Sequence, residues 1–185
     1  LKKESGDYAG KTKEELLSAF EALLSTQPVQ IIRNDAEAIK VAFYKIYRGE
    51  TEQLRRQFVE AGGQIEQFVP PADAAEQRLK ELFAEYRRKR NEYMARLDEE
   101  KEANYRTKLQ IIEELKELID SNETLNHTFN SFRELQRRWK ETGPVPQTHL
   151  KDLWETYNMY VENFYNFIKI NKELRDLDLK KNYEQ

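Results

Sequence analysis

Cysteine is absent from this 185-residue chain, so disulfides, thiolate zinc sites and thiol nucleophiles are excluded. Its absence suits a reducing cytoplasm, the expected location. No apolar run approaches the ~20 residues needed to cross a bilayer, so no membrane partner is expected. No secretory signal pattern is seen at the start, and Leu1 in place of Met suggests a processed or excised piece. Glycine and proline are scarce, at 6 and 5 residues, which leaves few places for the chain to turn. Charge of one sign is also lacking: the formal net charge is −3, too mild to pull the whole chain toward nucleic acid or membrane.

The chain is instead rich in mixed charge (35%) and carries 11% aromatics. Disordered chains lack such aromatics. The balance suits long amphipathic helices with solvated outer faces.

Helical spacing runs throughout. Thr12 and Glu15 form a capping box ahead of Leu16, Leu17, Phe20, Leu23 and Leu24. Asn34 and Glu37 offer a second box, ahead of a run through Ile39, Phe43, Tyr47, Leu54 and Phe58. Gly49 predicts a bend or break in that run, and Gly62-Gly63 a C-terminal cap. Pro70-Pro71 then open a helix that meets no breaker before Asp120, about 48 residues or roughly 70 Å. Its apolar stripe lapses over Asp98–Asn104. A solvent-crossing helical bridge explains the lapse, and a fray or kink is the alternative.

A fourth helix is expected from near Asn126 to Thr142, stopped by Gly143 with Pro144 and Pro146 behind it. Thr148 is the expected cap of a fifth. Its stripe is Leu150, Leu153, Trp154, Tyr157, Tyr160, Val161, Phe164, Phe167, Ile168 and Leu174, in coiled-coil-like steps. Asn171 falls on this seam, where it either fixes register or marks the edge of packing.

Two stretches of the chain align. Leu54–Gly62 matches Leu135–Gly143, Leu79–Phe83 matches Leu150–Trp154, Tyr86 matches Tyr157 and Tyr93 matches Phe164. Asn104-Tyr105 matches Asn182-Tyr183. From Phe83 to Asn104 the offset grows from 71 to 78 residues, one heptad, which a packed seam tolerates. The expected fold is therefore all-α: two tandem antiparallel three-helix bundle repeats sharing one long bridging helix, elongated. The expected divisions are 12–98, a degenerate first repeat; 99–104, a polar helical bridge; and 105–183, a well-formed second repeat. Asn182-Tyr183 would begin a third copy, making the chain part of a longer array.

The segment Phe132–Pro146, with Leu153-Trp154 and Phe164-Tyr165, resembles the bacterial repeat family catalogued as domain of unknown function 349. The signature residues are Leu135, Trp139, Gly143, Pro144, Leu153, Trp154 and Phe164. The resemblance is strong over roughly 105–183 and degenerate over 12–98, where Phe58 stands in place of the tryptophan. It implies tandem helical copies and no assigned activity.

No catalytic, cofactor or metal residues are expected. His127 and His149, each near a helix start, could meet across the Gly143 turn, but neither completes a Glu-x-x-His pair. Gly62-Gly63 lacks the following Lys-Ser or Lys-Thr of a phosphate loop. Trp139 and Trp154 read as the core of a helix hairpin, with a ligand-stacking pair as the alternative. The candidate contact residues are basic: Arg87, Arg88 and Lys89, with Arg90, and Arg133, Arg137, Arg138 and Lys140. Interleaved glutamates make a solvated face the plain reading, ahead of a protein partner and then RNA. The expected function is a non-enzymatic scaffold or protein-interaction module. The alternative is an RNA- or ribosome-associated factor.

Overall fold

The computed structural model describes residues 7–183, with side chains through Lys181. The described residues are all-α, with five helices and no strand: α1 (Lys13–Thr26), α2 (Arg33–Glu60), α3 (Ala74–Ile119), α4 (Leu125–Glu141) and α5 (Gln147–Tyr183). Two compact units divide the chain, Leu1–Ala95 and Arg96–Gln185. α3 is unbroken over 46 residues, through Asp98–Asn104, and contributes to both.

The first unit packs α1, α2 and the start of α3. Leu16, Phe20 and Leu24 of α1 meet Ile39 and Phe43 of α2 and Leu79, Leu82 and Tyr86 of α3. Thr12 accepts from the Glu15 amide at 3.1 Å and Glu15 accepts from the Thr12 amide, so the capping box forms. Lys13 is nearly buried yet ionised, because Nζ donates to Asp73 at 2.5 Å and Glu50 at 2.8 Å. This links the start of α1 to the middle of α2 and the cap of α3. Nearby, Tyr8 donates to buried Asp35 at 2.9 Å. Burial, then Asp35, push the Tyr8 phenol up to about 12.

Three sequence expectations for this unit are corrected. α2 begins at Arg33 with Ile32 as its cap, and no Asn34–Glu37 box forms. The 3-10 turn Val29–Ile31 feeds straight into the helix, and the Ala36 amide already bonds the Ile32 carbonyl at 2.9 Å. Gly49 does not break α2, whose 28 residues run on through it. Pro70 and Pro71 precede α3 rather than open it. Asp73 is its cap, accepting from the amides of Ala75 (2.9 Å) and Glu76 (3.3 Å). The Gly62-Gly63 cap does form. Gly62 has φ +97°, its amide bonds Val59 O and that of Gly63 bonds Phe58 O, a Schellman ending.

The second unit surrounds a core of Ile111, Ile112, Leu115 and Leu118 from α3, Phe132, Leu135 and Trp139 from α4, and Leu153, Tyr157 and Phe164 from α5. Trp139 stacks on Tyr157 at 3.8 Å and Phe132 on Phe164 at 4.0 Å. Each pair lies seven residues from the other on both helices. α4 and α5 are thus antiparallel and in heptad register over this stretch.

Here too the structure departs from expectation. Trp154 is not core: it is 54% exposed while Trp139 is 6% exposed. Tyr157, one turn on, takes the place facing Trp139. α5 starts at Gln147, so Thr148 is inside the helix rather than its cap. Leu174 is exposed, and Asn171 donates to its own Phe167 carbonyl at 3.0 Å. Asn171 therefore marks the end of packing. α4 ends at Glu141 with Thr142 as its cap, and among the described glycines only Gly10 and Gly62 have positive φ, so Gly143 follows the helix end without a left-handed backbone. The proposed third-copy start falls on Asn182 and Tyr183, whose side chains lie outside the described residues.

Candidate functional site

In the first unit the basic cluster on α3 is largely occupied. Arg88 pairs with Glu92 at 3.2 Å and Lys89 with Glu85 at 3.4 Å. Lys89 also donates to the Leu24 carbonyl at 2.9 Å, where α1 ends and its dipole favours a cation. Arg90 lies over the Tyr86 ring at 5.8 Å. Arg87 is exposed and has no ion pair among the described residues.

In the second unit, Arg137 is gripped by Glu134 and by Glu141, the latter at 2.7 Å. Those hydrogen bonds, the one to Glu134 foremost, raise the guanidinium pKa and hold the Glu134 carboxyl below its usual range. Arg138 reaches across to Glu114 of α3 at 2.8 Å. Arg133 lies over the Phe129 ring at 4.6 Å. Arg133 and Lys140 are exposed and have no carboxylate partner among the described residues. Thus the eight candidate cations divide into paired and unpaired, which interleaved glutamates alone did not reveal.

The signature residues divide similarly. Leu135, Trp139, Leu153 and Phe164 are buried together, and Trp154 lies outside. Gly143 and Pro144 form the turn held by α3: Asn104 Nδ2 donates to the Pro144 carbonyl at 2.8 Å. Lys108, which the sequence did not single out, sits over Trp139 at 4.6 Å, and burial lowers its pKa. Its spacing from the α3 stripe was the available signal, but a stripe read only for apolar residues misses the stem of a lysine.

The histidines do not meet. His127 is in the first turn of α4 and His149 follows its far end, so most of a 17-residue helix separates them. His149 stacks on Tyr105 at 4.3 Å. Among the described residues no group of three His, Asp or Glu could hold a metal ion. The hollows among the described residues are open grooves, the most voluminous of about 800 Å³ between residues 7–11 and the 37–46 face of α2. One of about 560 Å³ between α3 and α4 is lined by Glu114, Glu117, Glu123, His127, Glu134 and Arg138. One of about 460 Å³ between α3 and α5 includes Tyr105, Leu109, Ile112, Asp152 and Thr156. No helix of the described residues is long and apolar enough to cross a membrane.

The arrangement defines an all-α protein whose candidate surfaces are helix faces and shallow grooves. Residues 74–148 match the family model described as Domain of Unknown Function (DUF349). The match spans α3, α4 and the first residues of α5. It includes Trp139, Gly143 and Pro144 but stops short of Leu153, Trp154 and Phe164. No curated protein and no solved structure matches the chain.

Proposed function

We propose that the chain is a non-enzymatic helical interaction module, part of a longer tandem-repeat scaffold in the cytoplasm that binds a protein partner. One observation carries the reading: α5 places Trp154, Tyr165 and Leu150 half-exposed outside a core that is complete without them. Large apolar side chains grouped on one face favour association, because their burial removes apolar surface from water. The second reading, an RNA- or ribosome-associated factor, relies on the basic helix faces. Arg87, Arg133 and Lys140 support it as unpaired cations, while the ion pairs of Arg88, Lys89, Arg137 and Arg138 weaken it.

Affinity capture with the full chain, followed by identification of what co-purifies, tests the first reading. A reproducible protein partner is expected. Nucleic acid alone, released steeply by salt and lost on charge reversal at Arg133 and Arg137, would support the second instead.

A further inference from the structure

Two of the half-exposed side chains of α5, Trp154 and Tyr165, share one face of the helix. With Asn158 and the partly buried Val161 and Ile168, which pack against the edge of the core, they follow in steps of four, three, four and three, a second stripe beside the buried one. Tyr165 meets Phe132 edge-on at 5.4 Å, which puts the stripe on the α4 side of α5. The opposite flank of α5, with Asp152 and Thr156, borders α3 instead.

The flank of α4 can be placed the same way. Arg138, just before Trp139, turns toward α3 and pairs with Glu114. The residue just after each buried ring lies about 100° round the other way, toward α5. Those residues are Arg133, after Phe132, and Lys140, after Trp139. They are the two cations of α4 without a carboxylate. The neighbouring Glu134 and Glu141 are engaged by Arg137 and do not neutralise them.

A third row completes the surface. Glu155 and Glu162 follow Trp154 and Val161 on the outer side of the stripe, exposed and with no ion pair among the described residues. The surface thus has an apolar floor, a cationic edge on α4 and an anionic edge on α5. Both edges repeat every seven residues.

We propose that this α4–α5 surface is a docking site for one amphipathic α-helix of another polypeptide. That helix would lay an apolar seam on Trp154, Val161, Tyr165 and Ile168. It would carry carboxylates along the side facing Arg133 and Lys140, and lysines or arginines along the side facing Glu155 and Glu162. Heptad spacing of both charged rows is what a helix presents at the positions flanking its seam. A nucleic-acid strand would meet Glu155 and Glu162 as repulsion, which favours a protein occupant with both signs of charge. The inference rests on the interaction-module reading and narrows it to one face and one kind of partner.

Three designed peptides of about 21 residues, three heptads sharing one Leu seam, test it. The first has Glu on one flank and Lys on the other; the second has Glu on both, the third Lys on both. Titration of the labelled peptides with the full chain, read by anisotropy, should favour the mixed peptide by about tenfold. The paired substitution Arg133→Glu and Lys140→Glu should transfer the preference to the all-Lys peptide. Trp154→Ser should weaken mixed-peptide binding by about tenfold with the melting temperature unchanged. No preference for the mixed peptide, no binding, or a preference unmoved by the charge substitutions would overturn the proposal. Self-association removed by Trp154→Ser, with no peptide competing, would assign the face to a second copy. Binding of oligouridylate in place of the peptides would assign it to nucleic acid. If the captured partner survives Trp154→Ser while the peptides fail, the interaction module stands and this site does not.

Discussion

Asn104 Nδ2 donates to the Pro144 carbonyl across 2.8 Å, joining the middle of α3 to the turn that follows α4. The contact explains why residue 143 is glycine. A Cβ there would lie 2.9 Å from the same Asn104 nitrogen, too close to keep the bond in place. The glycine serves close approach and not a left-handed backbone.

Gly143→Ala and Asn104→Ala should each lower stability by about 1 kcal/mol, the typical net value of one hydrogen bond. Their effects should not add. Once Asn104 is alanine, the added methyl at 143 has nothing to displace, so the double variant should cost little more than Asn104→Ala alone. Urea denaturation of the two single variants and the double variant measures this coupling. Simple additivity would show that the two positions are independent.

The two tryptophans should behave oppositely. Trp139→Ala removes a ring stacked on Tyr157 and lined by Lys108, at a cost of about 3–5 kcal/mol. Trp154→Ala removes a half-exposed ring and should stay within about 0.5 kcal/mol. Thermal melts of the two variants compare them directly. A large loss at Trp154 would place that ring in the fold rather than on a binding face.

This contrast also shows what the sequence could convey. The α3 run, the Thr12 box and the Gly62-Gly63 ending were legible because each is local: period, cap and left-handed turn act within a few residues. Trp154 was not, because α5 carries two adjacent apolar stripes and period alone does not say which one faces α3 and α4. Asn104 read as part of a polar lapse, since its partner lies forty residues away. Asn34 had the right spacing for a box, but the preceding 3-10 turn had already started α2. The pairing of Arg138 with Glu114, against the unpaired Arg133 and Lys140, needed the helices assembled.

The Lys13 network predicts a two-sided pH profile for the first unit. The hydrogen bond from Lys13 is the main cause of the lowered Asp73 pKa; burial opposes it, and the Glu76 and Ala75 amides reinforce it. A carboxyl with a lowered folded pKa stabilises above its unfolded value of about 4, and its contribution fades as pH falls through the folded value. For Lys13, burial disfavours the charge, but the bonds to Asp73 and Glu50 prevail and raise its pKa. Its contribution is present below the ordinary lysine value of about 10.5 and is lost as pH rises beyond it. Stability should therefore be flat near neutrality and fall at both extremes. Asp73→Asn retains a capping side chain and should flatten the acid limb, while Lys13→Ala should cost about 2 kcal/mol at pH 7. Denaturant titrations from acid to alkaline pH provide the check, and an unchanged acid limb in Asp73→Asn would contradict the assignment.

Gly49 and Gly62 lie on either side of a sharper test, because both belong to α2 or its ending yet should respond with opposite sign. Gly49 is inside the continuous helix, and a Cβ built there meets nothing within 4 Å. Gly49→Ala removes the entropic penalty of a helical glycine and should stabilise the first unit by about 0.5–1 kcal/mol. A Cβ on Gly62 also meets nothing, so space does not distinguish the two sites. Backbone does: Gly62 has φ +97°, and its amide closes the Schellman ending on Val59. Gly62→Ala should therefore destabilise by about 1 kcal/mol through strain alone. Paired melting curves give both signs in one experiment. If Gly49→Ala also destabilised, the helix would have to bend at that residue after all, and the uninterrupted stripe from Phe43 through Leu54 to Phe58 would need another explanation.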